Sequence, residues 1–162
     1  MKAVILATGR GERLSPYTDR MPKPLLPIGG RTIIEHVISS LNQAGIDDFV
    51  VVTGYLGSKV RRRLGDGGGL GVDIRYVQNP DYMRGNASSL LCAAEALENE
   101  GPFLLAMSDH LIERDIPKRA LESFRGEPLL CVDKMPIYMN DVGEATKVLV
   151  DDEGYIRNIG KG

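Results

Sequence analysis

The sequence is poor in cysteine, in net charge and in long apolar runs. Its two cysteines, Cys92 and Cys131, form neither a Cys-x-x-Cys pair nor a Cys/His cluster, which argues against a zinc site. Both lie among apolar residues, so we expect two buried, reduced thiols in a cytoplasmic protein. Twenty Lys and Arg stand against 22 Asp and Glu, and this balance excludes a strong electrostatic case for nucleic acid as the main partner.

Apolar runs are short throughout the 162 residues. None approaches the roughly 20 residues that a membrane-spanning helix needs, so no membrane segment is expected. The apolar stretch at residues 3–7 is also shorter than the about 7–15 residues of a signal-peptide core. The length and the 43% hydrophobic content are instead typical of one domain with a substantial core.

Strand-like and helix-like segments alternate along the first 132 residues. Apolar runs predict strands at residues 2–7, 49–53, 72–77, 103–107 and 129–132, and helical spacing predicts helices at 32–44, 58–64, 86–97 and 116–124. We expect an Asn or Ser cap on the third helix, and a hairpin from residues 146–150 and 155–159. The alternation predicts an α/β fold with a Rossmann-like, mostly parallel sheet and helices on both faces. Ligands of such sheets bind beyond the carboxyl ends of the strands, where the strand order reverses.

A loop rich in glycine and proline follows the first strand, at residues 8–28. Gly9 and Gly11 let the backbone approach a ligand, and successive N–H groups in such a turn bind anions. Leu14 replaces the third glycine of a dinucleotide-binding G-x-G-x-x-G motif, and no Gly-Lys-Ser/Thr follows, so neither that motif nor a Walker loop is predicted. With Arg13 and Lys23 in the same loop, the pattern suggests a polyphosphate clamp. An ordinary glycine turn with solvated charges is the alternative.

Two further positions suit phosphate chemistry. Pro22 and Pro24 restrict the backbone on either side of Lys23, whose ammonium would neutralise a phosphate under attack; an incidental lysine on a rigid turn is the alternative. Asp109 follows a buried run, and a carboxylate there that faces a phosphate-binding loop is a natural Mg²⁺ ligand. A helix cap or turn former is the alternative for Asp109, and a solvated histidine is the alternative to a base at His110.

The pattern LATGRGERLSPYT followed by MPKPLLPIGG resembles the signature of the nucleotidyltransferases that join a sugar-1-phosphate or polyol phosphate to a nucleoside triphosphate. The resemblance covers the whole chain and implies Mg²⁺ and two substrates, a nucleoside triphosphate and a phosphorylated small molecule. It implies that the acceptor phosphate attacks the α-phosphorus and that pyrophosphate leaves. It also implies that residues 1–162 are one nucleotidyltransferase domain without its C-terminal part, because the family's second metal carboxylate lies further downstream.

The resemblance assigns roles to the positions that match the family pattern. Nucleotide-binding roles fall on Leu6, Ala7, Thr8, Gly9, Gly11, Gln78, Gly85 and Asn86. Arg13 and Lys23 would act on the reacting phosphates, Asp109 would bind the metal, and Glu144 and Lys147 would face the acceptor. Thr8 stands where the family usually has alanine, and Ser108 stands where it usually has glycine.

Two segments bear on the substrates. GNASSLL resembles cytidylyltransferases of phosphocholine or inositol phosphate, and MSDH together with DVGEATKVLVDDEGYIRNIGKG resembles CTP:inositol-1-phosphate cytidylyltransferases. The resemblance therefore favours CTP and inositol-1-phosphate. Two alternatives stay open: a sugar-1-phosphate nucleotidyltransferase that uses UTP, dTTP or GTP, and a nucleotide-binding domain without turnover.

Overall fold

The computed structural model describes residues 1–98, 100–134 and 145–161, which belong to two compact units, Met1–Gly126 and Glu127–Gly162. In chain order the elements are β1 (Lys2–Ala7), β2 (Pro27–Ile28), β3 (Arg31–Thr32), α1 (Ile33–Gln43), β4 (Asp48–Thr53), α2 (Gly57–Leu64), β5 (Asp73–Gln78), α3 (Asn86–Cys92), β6 (Phe103–Met107), α4 (Asp115–Ser123), β7 (Lys147–Val150) and β8 (Ile156–Gly160). None of the described helices is both long and apolar enough to cross a membrane.

The first unit is built on a four-stranded parallel sheet with the order β5-β4-β1-β6. From β1 the chain passes to β4 and β5 on one side, and then returns to β6 on the other side of β1. The strand order therefore reverses between β1 and β6. A crevice at such a reversal is the usual ligand site of open parallel sheets.

Both faces of the sheet are covered by helices. On one face, Ile5 of β1, Ile38 of α1 and Val60 of α2 share a buried cluster. On the other face, Val4 of β1 packs in a second cluster against Leu90 of α3. Because β1 is buried on both faces, it is apolar at nearly every position rather than at alternate ones. The predicted α/β fold with a parallel sheet and helices on both faces is confirmed.

Three local predictions are wrong. Helix α3 begins after Gly85 and has no side-chain cap, so the expected Asn or Ser cap is absent from it. The helix also ends at Cys92, and residues 95–97 form a separate 3-10 turn. Residues 129–132 form no strand, and no strand within the described ranges pairs with them. An apolar run becomes a strand only where a neighbour supplies hydrogen bonds and covers it, and Leu130 is half exposed.

The predicted burial of both thiols is also wrong. Cys92 is half-buried and Cys131 is exposed, and both are free. Cys92 lies in the last turn of a short helix, and Cys131 lies in the irregular segment that was expected to be a buried strand. In the second unit, β7 and β8 pair antiparallel, so the predicted hairpin is confirmed.

Candidate active site

The loop after β1 is ordered by three 3-10 turns, at Glu12–Leu14, Tyr17–Asp19 and Lys23–Leu25. In the third turn the amide of Leu25 donates to the carbonyl of Pro22 at 2.8 Å. Short turns replace an α-helix here because each proline removes a backbone donor and disfavours helical geometry in the residue before it. The predicted long ordered loop is confirmed, up to the short strand β2.

Gly11 is the residue at which this loop folds back on itself. Its φ of +70° lies in the left-handed region, and a Cβ at this position would lie 2.9 Å from the Cβ of Lys23. The buried Thr18 hydroxyl donates to the Gly11 carbonyl at 3.0 Å and fixes the crossing. At Gly9, by contrast, a Cβ would meet nothing within 4 Å, so the space beside Gly9 is open. Gly11 therefore brings Lys23 to the end of β1, and Gly9 leaves room for a ligand.

Lys23 and Asp109 meet beyond the carboxyl ends of the adjacent strands β1 and β6. Lys23 Nζ donates to Asp109 Oδ2 at 2.7 Å, and the two side chains are 34% and 27% exposed. Asp109 is carried there by β6, whose parallel pairing continues one residue further as the amide of Ser108 donates to the carbonyl of Leu6 at 3.1 Å. The residues are 86 apart in sequence. Their contact places a cation and a carboxylate together, with enough exposure to reach a bound phosphate.

The carboxylate of Asp109 is suited to Mg²⁺ of the kind that substrate phosphates help to hold. Within the described part of the chain, no three His, Cys, Asp or Glu side chains gather into a complete metal site. Mg²⁺ commonly takes one or two carboxylates together with phosphate oxygens and waters, and a single aspartate beside the glycine-containing loop after β1 fits that pattern. His110 Nε2 lies 3.8 Å from Asp109 Oδ1, and its side chain is 70% exposed, which matches the solvated alternative better than a base.

Gln78, at the end of β5, is held by the neighbouring strand. The fully buried Thr53 hydroxyl donates to Gln78 Oε1 at 2.9 Å. The Gln78 amide nitrogen lies 3.5 Å from the carbonyl of Gly54. A Cβ at Gly54 would lie 2.8 Å from the carbonyl of Thr8, so β4 passes very close to the loop after β1. Gln78 therefore has a fixed amide near the carboxyl end of the sheet.

Thr8 and Ser89 join the end of β1 to α3. Their hydroxyl oxygens are 3.0 Å apart, and both side chains are buried. Asn79, directly after β5, donates from Nδ2 to Ser89 Oγ at 3.1 Å and is 1% exposed. Asn79 is not among the predicted site residues. The predicted strand ends at residue 77, and the available signal was a second polar residue directly after Gln78.

The other predicted nucleotide-binding residues flank the same edge. The side chains of Leu6 and Ala7 are buried in the sheet, so only their backbone is open to a ligand. Gly85 precedes α3 with φ +95° and ψ −178°, a conformation that is essentially restricted to glycine, and Asn86 is exposed at the first helical position. Arg13 is exposed in its 3-10 turn and pairs with no acidic side chain in the described residues. Its guanidinium is therefore free to meet an anion.

The two predicted acceptor residues, Glu144 and Lys147, both follow residue 126 in the sequence. Glu144 lies outside the described residues. Lys147 is the first residue of β7 in the second unit, where it is exposed. Their role stays a prediction.

Comparison with known proteins finds one family model, Nucleotidyl transferase, which matches residues 2–132. Among curated relatives, the Bifunctional IPC transferase and DIPP synthase of Rubrobacter xylanophilus is 37% identical over 98% of this chain and 34% of its own length. The N-acetylmuramate alpha-1-phosphate uridylyltransferase of Neisseria meningitidis is 40% identical over 71% of this chain and 49% of its own length. The 2-aminoethylphosphonate cytidylyltransferase of Lancefieldella rimae is 32% identical over 99% of this chain and 61% of its own length.

The fold has a close match among solved structures. A Bacillus anthracis protein described as a candidate glucose-1-phosphate thymidylyltransferase superposes with a TM-score of 0.78 over 99% of this chain and 64% of that chain. The sequences are 24% identical, so this likeness bears on the fold alone. This chain spans only 34% and 49% of the lengths of the first two of these curated relatives.

Proposed function

This chain belongs to the nucleotidyl transferase family, and on that basis we propose that it transfers a cytidylyl group from CTP to inositol-1-phosphate and releases pyrophosphate. The observation that carries the proposal is the 2.7 Å ion pair of Lys23 and Asp109 beyond the carboxyl ends of β1 and β6. This ion pair and the loop after β1 lie at the edge of the parallel sheet where a nucleotide is expected to bind. The family membership confirms the resemblance on which the sequence analysis relied.

The reaction is an in-line displacement at the α-phosphorus. An oxygen of the acceptor phosphate forms a new bond to that phosphorus, and the bond to the pyrophosphate oxygen breaks. Negative charge grows on the leaving pyrophosphate, and fixed positive charge nearby lowers the barrier. In this proposal Lys23 contacts the reacting phosphates. Arg13, which pairs with no acidic side chain among the described residues, holds the leaving group.

The backbone of the loop after β1 would bind the triphosphate. Gly9 leaves open space beside the strand end, and Gly11 has the left-handed geometry that turns successive N–H groups toward one side. Asp109 would hold Mg²⁺ together with triphosphate oxygens. When bound, that ion neutralises phosphate charge and helps to align the attacking and leaving oxygens.

The choice of CTP and of inositol-1-phosphate is supported by similarity. A relative named as a cytidylyltransferase aligns with 99% of this chain, and the segment at residues 85–91 resembles cytidylyltransferases. The residues around Asp109 and at 141–162 resemble CTP:inositol-1-phosphate enzymes. A sugar-phosphate uridylyltransferase is the second candidate, because the relative with that printed activity is 40% identical over 71% of the chain.

Pyrophosphate release with Mg²⁺ tests the proposal. CTP, UTP, dTTP and GTP are each paired with inositol-1-phosphate, phosphocholine and glucose-1-phosphate, and Asp109→Asn is the matched inactive control. We expect release with CTP and inositol-1-phosphate alone. Release that requires UTP and a sugar phosphate would establish the second candidate. Nucleotide binding without release in any pairing would show a binding domain without turnover.

A further inference from the structure

A buried hydroxyl cluster lies behind the nucleotide loops and touches none of the charged residues of the site. It consists of Thr8, Asn79 and Ser89, whose side chains are 5%, 1% and 0% exposed. These residues come from the end of β1, the end of β5 and the first turns of α3. We call this set the hydroxyl latch.

The hydrogen bonds of the latch meet at Ser89. Asn79 Nδ2 donates to Ser89 Oγ at 3.1 Å. Ser89 Oγ also lies 3.3 Å from the carbonyl of Gly85 and 3.0 Å from Thr8 Oγ1, and either hydroxyl can donate the proton of the Thr8–Ser89 bond. Whichever hydroxyl donates, this bond joins the end of β1 to α3.

The latch connects two segments to which nucleotide-binding roles are assigned. Thr8 precedes Gly9 directly, at the start of the phosphate-binding loop. Ser89 lies one turn after Gly85 and Asn86, at the start of α3. Because the three side chains are buried, their polar atoms face one another rather than a ligand. The hydroxyl of Thr8 can therefore act on nucleotide binding by positioning the backbone after β1 and the first turn of α3.

We propose that Thr8 is a positioning residue, whose hydroxyl fixes the start of α3 against the loop after β1 and thereby sets nucleotide affinity and base selectivity. The inference rests on the proposed function. Thr8 also departs from the alanine that the family usually has at this position, and alanine has no hydroxyl to give. The Thr8–Ser89 hydrogen bond therefore depends on a hydroxyl that the usual alanine would lack.

The test compares Thr8→Val, which keeps the side-chain shape and removes the hydroxyl, with Thr8→Ser, which keeps the hydroxyl. Loss of one buried hydrogen bond is worth about 1 kcal/mol, or roughly a fivefold change in an equilibrium. We expect Thr8→Val to raise the KM for CTP about fivefold and to leave kcat within about twofold. The ratio of kcat/KM for CTP to kcat/KM for UTP should also fall. Thr8→Ser should keep all three quantities close to those of the unaltered protein.

A double-mutant cycle separates the latch from a general loss of stability. Ser89→Ala should weaken CTP binding, and Thr8→Val should add nothing further in its presence, because the two side chains share one hydrogen bond. Thr32→Val is the matched control, since it removes a buried hydroxyl that bonds Glu35 at 2.9 Å at the start of α1. It should lower the melting temperature without changing the KM.

Amide hydrogen exchange tests the role of Thr8 without requiring turnover. In the nucleotide-free protein, Thr8→Val should speed exchange at both residues 9–13 and 86–92, whereas Thr32→Val should not. Unchanged exchange in both segments, or additive losses of CTP affinity in the cycle, would overturn the latch. Absence of pyrophosphate release from the unaltered protein would instead count against the proposed function and leave the exchange result to judge the latch.

Discussion

Removal of the Asp109 carboxylate should abolish most turnover and leave the fold intact. The change is Asp109→Asn, which keeps the size of the side chain and removes its charge. Asp109 lies at the carboxyl end of β6 and pairs with Lys23 at 2.7 Å. Lys23→Met is the companion change on the other side of the pair, and it removes the ammonium while keeping most of the apolar stem.

The expected effect on stability is much smaller than the expected effect on kcat. The paired side chains are 34% and 27% exposed, so water screens the pair and its loss should change the free energy of unfolding by about 1 kcal/mol or less. The catalytic effect should be much larger, because fixed charge at a transition state is typically worth about 10²–10³ in kcat. We therefore expect each change to lower kcat by at least about a hundredfold with little change in melting temperature.

The assay is pyrophosphate release at saturating substrates over a titration of Mg²⁺. Asp109→Asn should shift the Mg²⁺ dependence to higher concentration, whereas Lys23→Met should lower kcat without that shift. Lys118→Met is the control, because Lys118 pairs with Glu122 on the exposed surface of α4 at 4.0 Å, and kcat should stay within about twofold. An Asp109→Asn protein that keeps more than about a tenth of kcat would refute the role of Asp109.

Two other changes test the loop and the framework. Gly11→Ala should destabilise the protein by about 1 kcal/mol or more and lower kcat/KM, because the new Cβ would lie 2.9 Å from Lys23 Cβ at a φ of +70°. Gly9→Ala is the control for stability: its Cβ would meet nothing within 4 Å, so the melting temperature should not change. Burial alone would raise the pKa of Glu35, but hydrogen bonds from Arg63 and from the start of α1 outweigh it and hold the pKa below its ordinary value of 4.5. The stabilisation is therefore complete above about pH 4.5 and is lost as pH falls through the lowered pKa; urea unfolding at several pH values should show this loss. Glu35→Gln should lower the free energy of unfolding at pH 7 by about 1 kcal/mol. It should also reduce the fall of that free energy below pH 4.5. An unchanged fall in the variant would show that Glu35 is not its source.

Much of the framework was predictable from sequence because it depends on local pattern. Strand β1 is apolar at nearly every position, which is typical of a strand buried on both faces, and its bounds Lys2–Ala7 are as predicted. The four prolines from Pro16 to Pro27 exclude a continuous α-helix in the loop after β1, so the irregular course of this loop was also predictable. The failures were of another kind. Residues 129–132 have the composition of a strand, but pairing depends on a neighbour that composition does not specify.

For the candidate site, too, the residues could be predicted from the sequence, but their contacts could not. Arg13, Lys23 and Asp109 were identified from residue type, position after strands and resemblance, and their catalytic roles stay predictions. Which of them touch was not readable, because strand order is not a local property. Lys23 and Asp109 meet only because β6 lies beside β1, across the reversal of the sheet.

The sequence by itself determined the alternation of elements, the irregular loop after β1 and the family to which the chain belongs, since each is carried by neighbouring residues or by a contiguous motif. The tertiary structure alone decided that Gly11 packs on Lys23, that Lys23 pairs with Asp109 and that Thr8 bonds Ser89 across 81 positions. A hydrogen bond of that kind requires two oxygens within about 3 Å, and only the order and register of the strands bring such distant residues to that distance.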